Sequence, residues 1–225
     1  MPLLSVIVPV YNESKTIRQI LEKINSLDID KEIVVVDDGS SDDTGKILRE
    51  IKYGNLTVIH HATNRGKGAA VRTGLSFSKG EFVIIQDADL EYEPADYFKL
   101  METARSTNAD IVLGARFIRG YKGLMIHRMG NRFLTNMLNF LFGVRLNDCF
   151  TCYKLLRRGT INQLDLKADG FDIEIEIIAK SLKKRLSIAE TFISYHPRSY
   201  AEGKKIRCWD GIRAAFSIIK YKFTA

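Results

Sequence analysis

Residues 32–40 read Glu-Ile-Val-Val-Val-Asp-Asp-Gly-Ser. The branched apolar residues at positions 33–36 predict a β-strand that is buried on both faces, as the strands of a parallel sheet are. Asp37 and Asp38 follow this strand directly. Because parallel sheets bind ligands beyond the carboxyl ends of their strands, this stretch predicts both an α/β fold and a polar site at one edge of the sheet.

Similar apolar runs lie on both sides of this strand, with helical patterns between them. Strands are predicted at residues 3–8, 56–59, 82–85, 111–113 and 188–195. Helices are predicted from Asn12 as an N-cap, at 42–52, from Gly66, from Pro94, at 126–144, at 171–184 and from 206 onward. This alternation predicts a doubly wound, mostly parallel sheet with right-handed crossovers. We expect a single domain over residues 1–225, with a regular half at 1–115 and a half containing amphipathic helices at 116–225.

Composition excludes several classes of protein. Of the 225 residues 45% are hydrophobic and 27% are charged, which is typical of a globular chain and not of a disordered one. The three cysteines are too few for a disulfide framework and favour a reducing compartment. The first residues do not form a signal peptide, and no run reaches the roughly 20 apolar residues that span a bilayer. We therefore expect an intracellular protein that is soluble or bound to a membrane surface.

Charge is distributed unevenly along the chain. The net charge is +7, but residues 116–145 contain six Lys and Arg and no acidic residue, and residues 196–225 contain seven against two acidic residues. A basic second half predicts a polyanionic partner or a membrane surface. The loop from Arg198 to Lys205 is basic and contains Gly203, so it is suited to binding phosphates, although a solvated surface loop explains its charge equally well.

Acidic residues also follow the run at 82–85. Asp87 and Asp89 are separated by one residue at a predicted strand end, so both carboxylates can approach one divalent cation. Carboxylate oxygens suit Mg²⁺ or Mn²⁺, which commonly bridge a protein to a diphosphate. The alternative is that an Asp in this position only caps the next helix. The sequence leaves both interpretations open.

Two further patterns are weaker. The stretch Asn-Arg-Gly-Lys-Gly-Ala-Ala at 64–70 opens a helix and could hold phosphate, but it lacks the P-loop and dinucleotide-binding spacings. Small residues that pack a helix closely on the sheet are the favoured explanation. Cys149 and Cys152 have half the spacing of a zinc site, but no second pair accompanies them and the histidines have no ligand spacing.

The order of these segments resembles the family-2 glycosyltransferases, which have the Rossmann-like GT-A fold. The similarity is greatest to the dolichol-phosphate mannose synthase group and its polyprenyl-phosphate hexosyltransferase relatives. The matching segments spread over nearly the whole chain, and their order and spacing make the match specific. They are residues 8–13, 35–44, 64–68, 86–91, 114–116 and 198–204.

The resemblance implies a role for particular residues. Asp89, Arg116, Arg198 and Asp148 are the implied catalytic residues. The implied metal ligands, for Mg²⁺ or Mn²⁺, are Asp87, Asp89 and Glu91, the last in a position where these synthases often have Gln. The implied donor-binding residues are Pro9, Tyr11, Glu13, Asp38, Asp87, Ala88, Asp89, Arg116 and Lys204.

The resemblance also implies a reaction. A hexose would pass, with inversion, from GDP-mannose or a UDP-sugar to a polyprenyl or dolichyl phosphate. Such an acceptor is largely anionic at pH 7, because its second pKa is about 6, and needs no general base. The basic, amphipathic segment at 126–144 is suited to lie in a membrane interface, which would place the protein peripherally on the cytoplasmic face. Packing against the core or a second subunit is the alternative, and the oligomeric state stays open.

Three alternatives remain. Transfer to a sugar hydroxyl of a glycan or glycolipid would require a base such as Asp148. A sugar nucleotidyltransferase would be expected to have a Gly-rich loop after the first strand, where residues 9–13 stand instead. A nucleic-acid-binding module would suit the net charge, but no basic-aromatic stacking motif is present and the acidic clusters would repel phosphates. We therefore expect no nucleic-acid partner. The pattern does not choose among the hexoses, the two nucleotides or the two metals.

Overall fold

The computed structural model describes residues 1–116, 125–198 and 208–224. They contain one seven-stranded sheet in the order β3-β2-β1-β4-β6-β5-β7. All neighbouring strands are parallel except that β6 runs antiparallel to both β4 and β5. The strands are β1 Leu4–Val10, β2 Lys31–Asp37, β3 Leu56–His60, β4 Phe82–Ile85, β5 Ile111–Ala115, β6 Lys154–Arg157 and β7 Ile188–Phe192.

Helices connect most of these strands. A single 3-10 turn at Pro94–Asp96 precedes the helix that begins at Tyr97. The described α-helices are α1 Ile17–Asn25, α2 Thr44–Glu50, α3 Lys67–Phe77, α4 Tyr97–Thr107, α5 Met125–Phe142, α6 Arg158–Ile161, α7 Ile173–Lys183 and α8 Cys208–Thr224. The expected doubly wound, mostly parallel α/β fold is confirmed.

The core explains why the quoted stretch forms a central strand. The side chains of Ile33 to Val36 in β2 are no more than 1% exposed, so both faces of the strand are covered. On one face α1 buries Ile17, Ile20, Leu21 and Ile24, which recur at helical spacing. Helix α3 approaches β1 so closely that a Cβ at Gly74 would overlap the side chain of Ile7.

One local sequence prediction is wrong, and one strand was missed. Asn12 is not the N-cap of α1, since Thr16 holds that position. Asn12 instead adopts a left-handed conformation with φ of 52°, and its Oδ1 accepts a 2.8 Å hydrogen bond from the amide of Ser41. The strand β6 was not predicted, because the buried Thr151 and Lys154 interrupt the apolar pattern of this region.

The sheet order creates a switch point between β1 and β4. From β1 the chain moves outward through β2 to β3, and β4 then returns to pair with the other side of β1. The loops after β1, β2 and β4 therefore meet at one edge of the sheet. Ligand sites of open α/β sheets lie at such a point.

Candidate active site

Two acidic residues extend from β4 at the switch point. Asp89 Oδ2 accepts a 3.1 Å hydrogen bond from Arg198 Nη2, and Arg198 Nη1 lies 3.2 Å from Glu13 Oε2 in the loop after β1. Lys67 Nζ, at the first residue of α3, lies 2.7 Å from Asp87 Oδ1. The fold thus brings together residues from four separate segments. Two basic side chains, Lys67 and Arg198, contact the two aspartates.

Lys67 contacts a second carboxylate that the sequence did not suggest. Its Nζ lies 2.9 Å from Oε1 of Glu174 in the first turn of α7. The other carboxylate oxygen of Glu174 pairs with Nζ of Lys154, which is completely buried in β6. The signal for Glu174 was an acidic residue that alternates with isoleucines at the start of a helix, but nothing in the sequence indicated its partners.

Glu91 takes a different position from the two aspartates. Its carboxylate accepts hydrogen bonds of 2.6 Å from the Tyr195 hydroxyl and 2.9 Å from the Arg198 amide. Among the described residues, no three His, Cys, Asp or Glu side chains are grouped as a metal site. Glu91 therefore orders the segment that carries Arg198, and its assignment as a third metal ligand stays a prediction.

The electrostatics of the acidic pair fit a divalent cation. Burial, Asp87 and Glu91 raise the pKa of Asp89 to about 7, and Arg198 only partly opposes them. Burial alone would also raise the pKa of Asp87, but Lys67 above all, together with Cys152 and Lys154, outweighs burial and lowers the pKa. Both carboxylates are partly exposed, and their oxygens are the kind of ligand that Mg²⁺ and Mn²⁺ use. The excess of negative charge around them also favours a bound cation. We conclude that Asp87 and Asp89 fit such an ion.

Arg116 and Asp148 form a buried ion pair at the end of β5. Arg116 Nε and Nη2 lie 2.7 and 3.0 Å from the two oxygens of Asp148, and the Arg116 amide also contacts this carboxylate. Asn131 in α5 donates a further hydrogen bond of 3.1 Å. Asp148 is completely buried. In this arrangement Asp148 holds Arg116 and does not face solvent, as a general base would have to do.

The predicted donor-binding residues occupy different depths. Pro9 and Ala88 are buried in and beside the sheet, whereas Tyr11 is 38% exposed in the loop after β1. Asp38 is also buried, and its oxygens accept hydrogen bonds of 2.9 and 2.8 Å from the amides of Arg65 and Gly66. His61 Nδ1 lies 2.6 Å from the same carboxylate. Asp38 therefore holds the Gly-rich loop in place. The last predicted donor-binding residue, Lys204, lies outside the described residues.

The Gly-rich stretch packs against protein and not against open space. A Cβ at Gly66 or Gly68 would overlap a carbonyl oxygen of Asp169 or Ala168, and Gly66 has a φ of 95°. The amide of Ala69 donates a 3.2 Å hydrogen bond to Asp169. The glycines therefore allow close packing, but against residues 168–169 and not against the sheet as the sequence predicted. This close approach sets Lys67 beside Glu174.

The paired cysteines are buried thiols. Cys149 Sγ lies 3.3 Å from the Thr135 hydroxyl, and Cys152 Sγ donates to the carbonyl of Ile85. Burial raises the pKa of Cys149 to about 12, so its reactive thiolate form is not populated near neutral pH. Neither thiol has the exposure that is typical of a redox-active cysteine.

Two helices of the second half expose apolar side chains. Met129, Phe133 and Phe140 on α5 are at least 67% exposed, and Phe216 and Phe223 on α8 are at least 72% exposed. The two helices pack against each other, with Lys222 Nζ 4.9 Å from the centroid of Phe142. Within the described residues, every helix is too short or too polar to cross a bilayer.

The paired aspartates and their basic partners lie at the switch point, where open α/β sheets bind their ligands. The model of the family described as Glycosyl transferase family 2 matches residues 5–164. The chain belongs to this family and is a glycosyltransferase.

Curated relatives share this sequence over most of its length. The chain is 32% identical to an uncharacterized protein of Methanocaldococcus jannaschii, covering 96% of this chain and 98% of that one. It is 27% identical to the polyprenol monophosphomannose synthase of Mycolicibacterium smegmatis, covering 88% of this chain and 79% of that protein. It is 31% identical to the dolichyl-phosphate beta-glucosyltransferase of Saccharomyces cerevisiae, covering 86% of this chain and 66% of that enzyme.

A solved structure confirms the fold. Glucosyl-3-phosphoglycerate synthase from Mycobacterium tuberculosis, in complex with Mn²⁺, uridine diphosphate and glucosyl-3-phosphoglycerate, matches with a TM-score of 0.75. The alignment has 21% identity and covers 98% of this chain and 80% of that one. The structural similarity shows the GT-A architecture.

Proposed function

We propose that this enzyme transfers a hexose from a nucleotide-sugar donor to a polyprenyl or dolichyl phosphate, with Mg²⁺ or Mn²⁺ bound at Asp87 and Asp89. The observation behind the proposal is the position of these carboxylates at the switch point, in contact with Lys67 and Arg198. Two relatives are named for mannosyl transfer to polyprenol phosphate and glucosyl transfer to dolichyl phosphate, which supports this class of acceptor.

The site is suited to the charge that develops during transfer. A bound divalent cation would stabilise the negative charge on the departing nucleoside diphosphate. Arg198 is held at the same place by Asp89 and Glu13, so its guanidinium would lie near the phosphates of a donor bound through the cation. Tyr11, exposed in the loop after β1, can pack against the nucleoside. The family resemblance implies direct displacement with inversion.

The state of Asp148 favours a phosphate acceptor. A sugar hydroxyl would have to lose its proton to a base, but both oxygens of Asp148 are bound by Arg116 and Asn131 inside the protein. A phosphate monoester is already largely ionised at pH 7 and needs no such base. Arg116 can then attract the acceptor phosphate while Asp148 keeps the guanidinium in place.

A lipid acceptor also accounts for the exposed helices. We propose that α5 and α8 lie against the cytoplasmic face of a membrane with their aromatic side chains in the interface. Lys220 and Arg213 on α8 and Arg132 on α5 are exposed near these side chains and can contact anionic head groups. The polyprenyl chain would then stay in the bilayer while its phosphate reaches Arg116.

Incubation with Mn²⁺, a panel of labelled nucleotide sugars and a short polyprenyl phosphate, followed by organic extraction, tests the proposal. We expect one donor to label the lipid fraction. Asp89→Asn keeps the shape of the side chain but removes its charge, and we expect it to lower the transfer rate at least 100-fold, within the range found when a single electrostatic contributor is removed. The matched control is Glu102→Gln, which changes an exposed carboxylate on α4.

The outcomes separate the alternatives. Label in soluble glycans, with none in the lipid fraction, would reject the phosphate acceptor but would still support glycosyltransferase activity. Undiminished transfer by Asp89→Asn, or full activity in the presence of a chelator, would reject the role given to the cation.

A further inference from the structure

Four charged side chains of alternating sign form a row that ends at the metal-binding aspartate. Lys154 Nζ pairs with Glu174, Glu174 Oε1 lies 2.9 Å from Lys67 Nζ, and Lys67 Nζ lies 2.7 Å from Asp87 Oδ1. The side chains of Lys154, Glu174 and Lys67 are 0%, 8% and 11% exposed, whereas that of Asp87 is 25% exposed. The row therefore runs from the interior to the surface of the site.

Lys67 is shared between two carboxylates at nearly equal distances. Buried charges are tolerated only when they are paired, so a lysine that loses one carboxylate needs another. Glu174 Oε1 has no hydrogen bond with ideal geometry, although the Lys67 ammonium lies within contact distance. Glu174 Oε1 is therefore close enough to accept a hydrogen bond from Lys67 once the ammonium turns toward it.

The base of the row is rigid. Lys154 also donates to the carbonyl of Thr151, so its ammonium is fixed from two sides. Glu174 lies in the first turn of α7, where the dipole of the helix favours a carboxylate. Lys67 begins α3, where the glycines on either side lie directly against residues 168–169. The only member of the row that extends into the site is Asp87.

We infer that Lys67 is an internal counter-ion that competes with the divalent cation for Asp87, and that Glu174 is the positioning residue that retains Lys67 when Asp87 binds the cation. This inference rests on the proposed function, because it presupposes a cation at Asp87 and Asp89. Without a cation, Lys67 neutralises Asp87 and keeps its carboxylate in place. With a cation, Lys67 shifts its contact to Glu174, and every buried charge stays paired.

The inference predicts opposite effects of two substitutions on cation affinity. Lys67→Met removes the competitor, so we expect Mn²⁺ to bind about ten-fold more tightly. Glu174→Gln removes the alternative partner of Lys67, so Lys67 stays on Asp87 and we expect Mn²⁺ to bind about ten-fold more weakly. A purely structural role would make both variants bind more weakly or leave both unchanged.

The experiment is a titration of the full chain with Mn²⁺, followed by the electron paramagnetic resonance signal of free Mn²⁺. It is done without nucleotide and again with the nucleoside diphosphate, GDP or UDP, of the donor that labels the lipid fraction. Glu22→Gln, an exposed carboxylate on α1, is the matched control and should bind like the wild type. Thermal unfolding followed by circular dichroism establishes that each variant is folded, and Lys67→Gln replaces Lys67→Met if the latter is not.

The double variant tests whether Glu174 acts through Lys67. In the Lys67→Met background, we expect Glu174→Gln to change the Mn²⁺ affinity by less than about two-fold, because residues that act through one another are not additive. A full ten-fold effect in that background would mean that Glu174 acts directly through its charge, and would overturn its positioning role.

Two results distinguish this inference from the proposed function. Absence of Mn²⁺ binding by the wild type in both conditions would overturn the inference and the metal-dependent function together. Wild-type binding that is lost in Asp89→Asn but unchanged in Lys67→Met and Glu174→Gln would overturn the inference alone.

Discussion

Arg116 and Asp148 form a deeply buried ion pair near the site. Burial by itself would raise the pKa of Asp148, but Arg116 and then Asn131 outweigh it and hold the pKa below its ordinary value. The carboxylate is therefore ionised at neutral pH and its charge is committed to the guanidinium. Breaking such a pair leaves an uncompensated charge in the interior, which costs more than the pair itself contributes.

Asp148→Asn should therefore destabilise the protein. We expect the free energy of unfolding, measured with urea, to fall by about 3–5 kcal/mol, because Arg116 keeps its charge and loses its partner. Lipid-linked transfer should fall as well, since Arg116 is no longer held in position. Asp165→Asn is the control, because Asp165 and Lys167 form an exposed pair whose loss should have no measurable effect. A variant as stable as the wild type would contradict the role given to Asp148.

At the scale of residues, the sequence predicted where the two aspartates lie but not which side chains contact them. Asp87 and Asp89 could be predicted because carboxylates that follow a buried strand must lie at the ligand-binding edge. Lys67 and Glu174 could not be assigned to the site, because their contacts depend on how the N-termini of α3 and α7 approach each other. Such a contact leaves no local pattern in the chain.

At the scale of elements, the N-terminus of α3 depends on the absence of a side chain at Gly68. A Cβ there would overlap the carbonyl oxygen of Ala168 and approach its carbon to 2.9 Å, and both atoms belong to the backbone. Neither can move aside by a simple rotation. The contact also places Lys67, the preceding residue, between Asp87 and Glu174.

Gly68→Ala should therefore lower the free energy of unfolding by about 1–3 kcal/mol, the range for overpacking, when measured with urea. It should also weaken Mn²⁺ binding by moving the start of α3. Gly130→Ala is the matched control, because Gly130 lies in α5 with no atom within 4 Å of its Cβ position. Alanine is favoured in a helix by about 0.5–1 kcal/mol, so this control should gain stability. Equal stability of the two variants would contradict the close packing.

The start of helix α2 is held in place by Asp42, which lies just before it. Its oxygens accept hydrogen bonds of 3.0 Å from the Thr44 amide and 3.1 Å from the Ser14 amide, and so join the start of α2 to the loop after β1. Partial burial would raise the pKa of Asp42, but the hydrogen bonds from Thr44 and then Ser14 outweigh it and lower the pKa to about 2. The ionised carboxylate is thus favoured in the folded state.

Asp42→Asn should lower stability in a way that depends on pH. Because the folded pKa of about 2 lies below the ordinary value of 3.8, the stabilisation is fully present above pH 4 and is lost as the pH falls toward 2. We expect a difference in unfolding free energy of about 1 kcal/mol at pH 7, since the group is largely exposed. Urea unfolding from pH 7 to pH 2 should show the two proteins converge, and a constant difference would contradict the assignment.

The elements themselves were predicted to different degrees. Strands such as Phe82–Ile85 could be placed because continuous apolar runs bounded by polar residues leave few alternatives. Strand β6 could not, because Lys154 is buried through an ion pair with Glu174, which no apolar pattern records. The Asn12 prediction failed for a related reason, since its side chain binds Ser41 across the loops and not the start of α1.

At the scale of the whole molecule, the switch-point edge and the helices α5 and α8 belong to connected parts of the structure. Asn131 of α5 donates directly to Asp148, so this helix contacts the site through one side chain while Phe133 and Phe140 remain exposed. An acceptor with an ionic head and an apolar tail requires such a connection. The basic character of the second half suits the same surface, because clustered Lys and Arg are attracted to anionic lipids.

Replacement of the exposed aromatic residues should therefore release the protein from membranes. Phe133 on α5 and Phe216 on α8 are 67% and 72% exposed, so their substitution by Glu need not disturb the core. Insertion of one such side chain into the membrane interface contributes about 1.5–3 kcal/mol. We therefore expect each variant to bind anionic liposomes at least roughly ten-fold more weakly in flotation. Phe77→Glu, at the end of α3 and 51% exposed, is the matched control and should float like the wild type.

The salt dependence of flotation separates the two contributions to membrane binding. Salt screens the attraction between Lys or Arg and anionic lipids but leaves aromatic insertion largely intact, so the wild type should keep part of its binding at high salt. The Phe133→Glu/Phe216→Glu double variant should keep none, while transfer to a short, water-soluble polyprenyl phosphate should persist because the site is unchanged. Equal loss of flotation by the Phe77→Glu control, or loss of soluble-acceptor transfer by the double variant, would contradict a membrane role for α5 and α8.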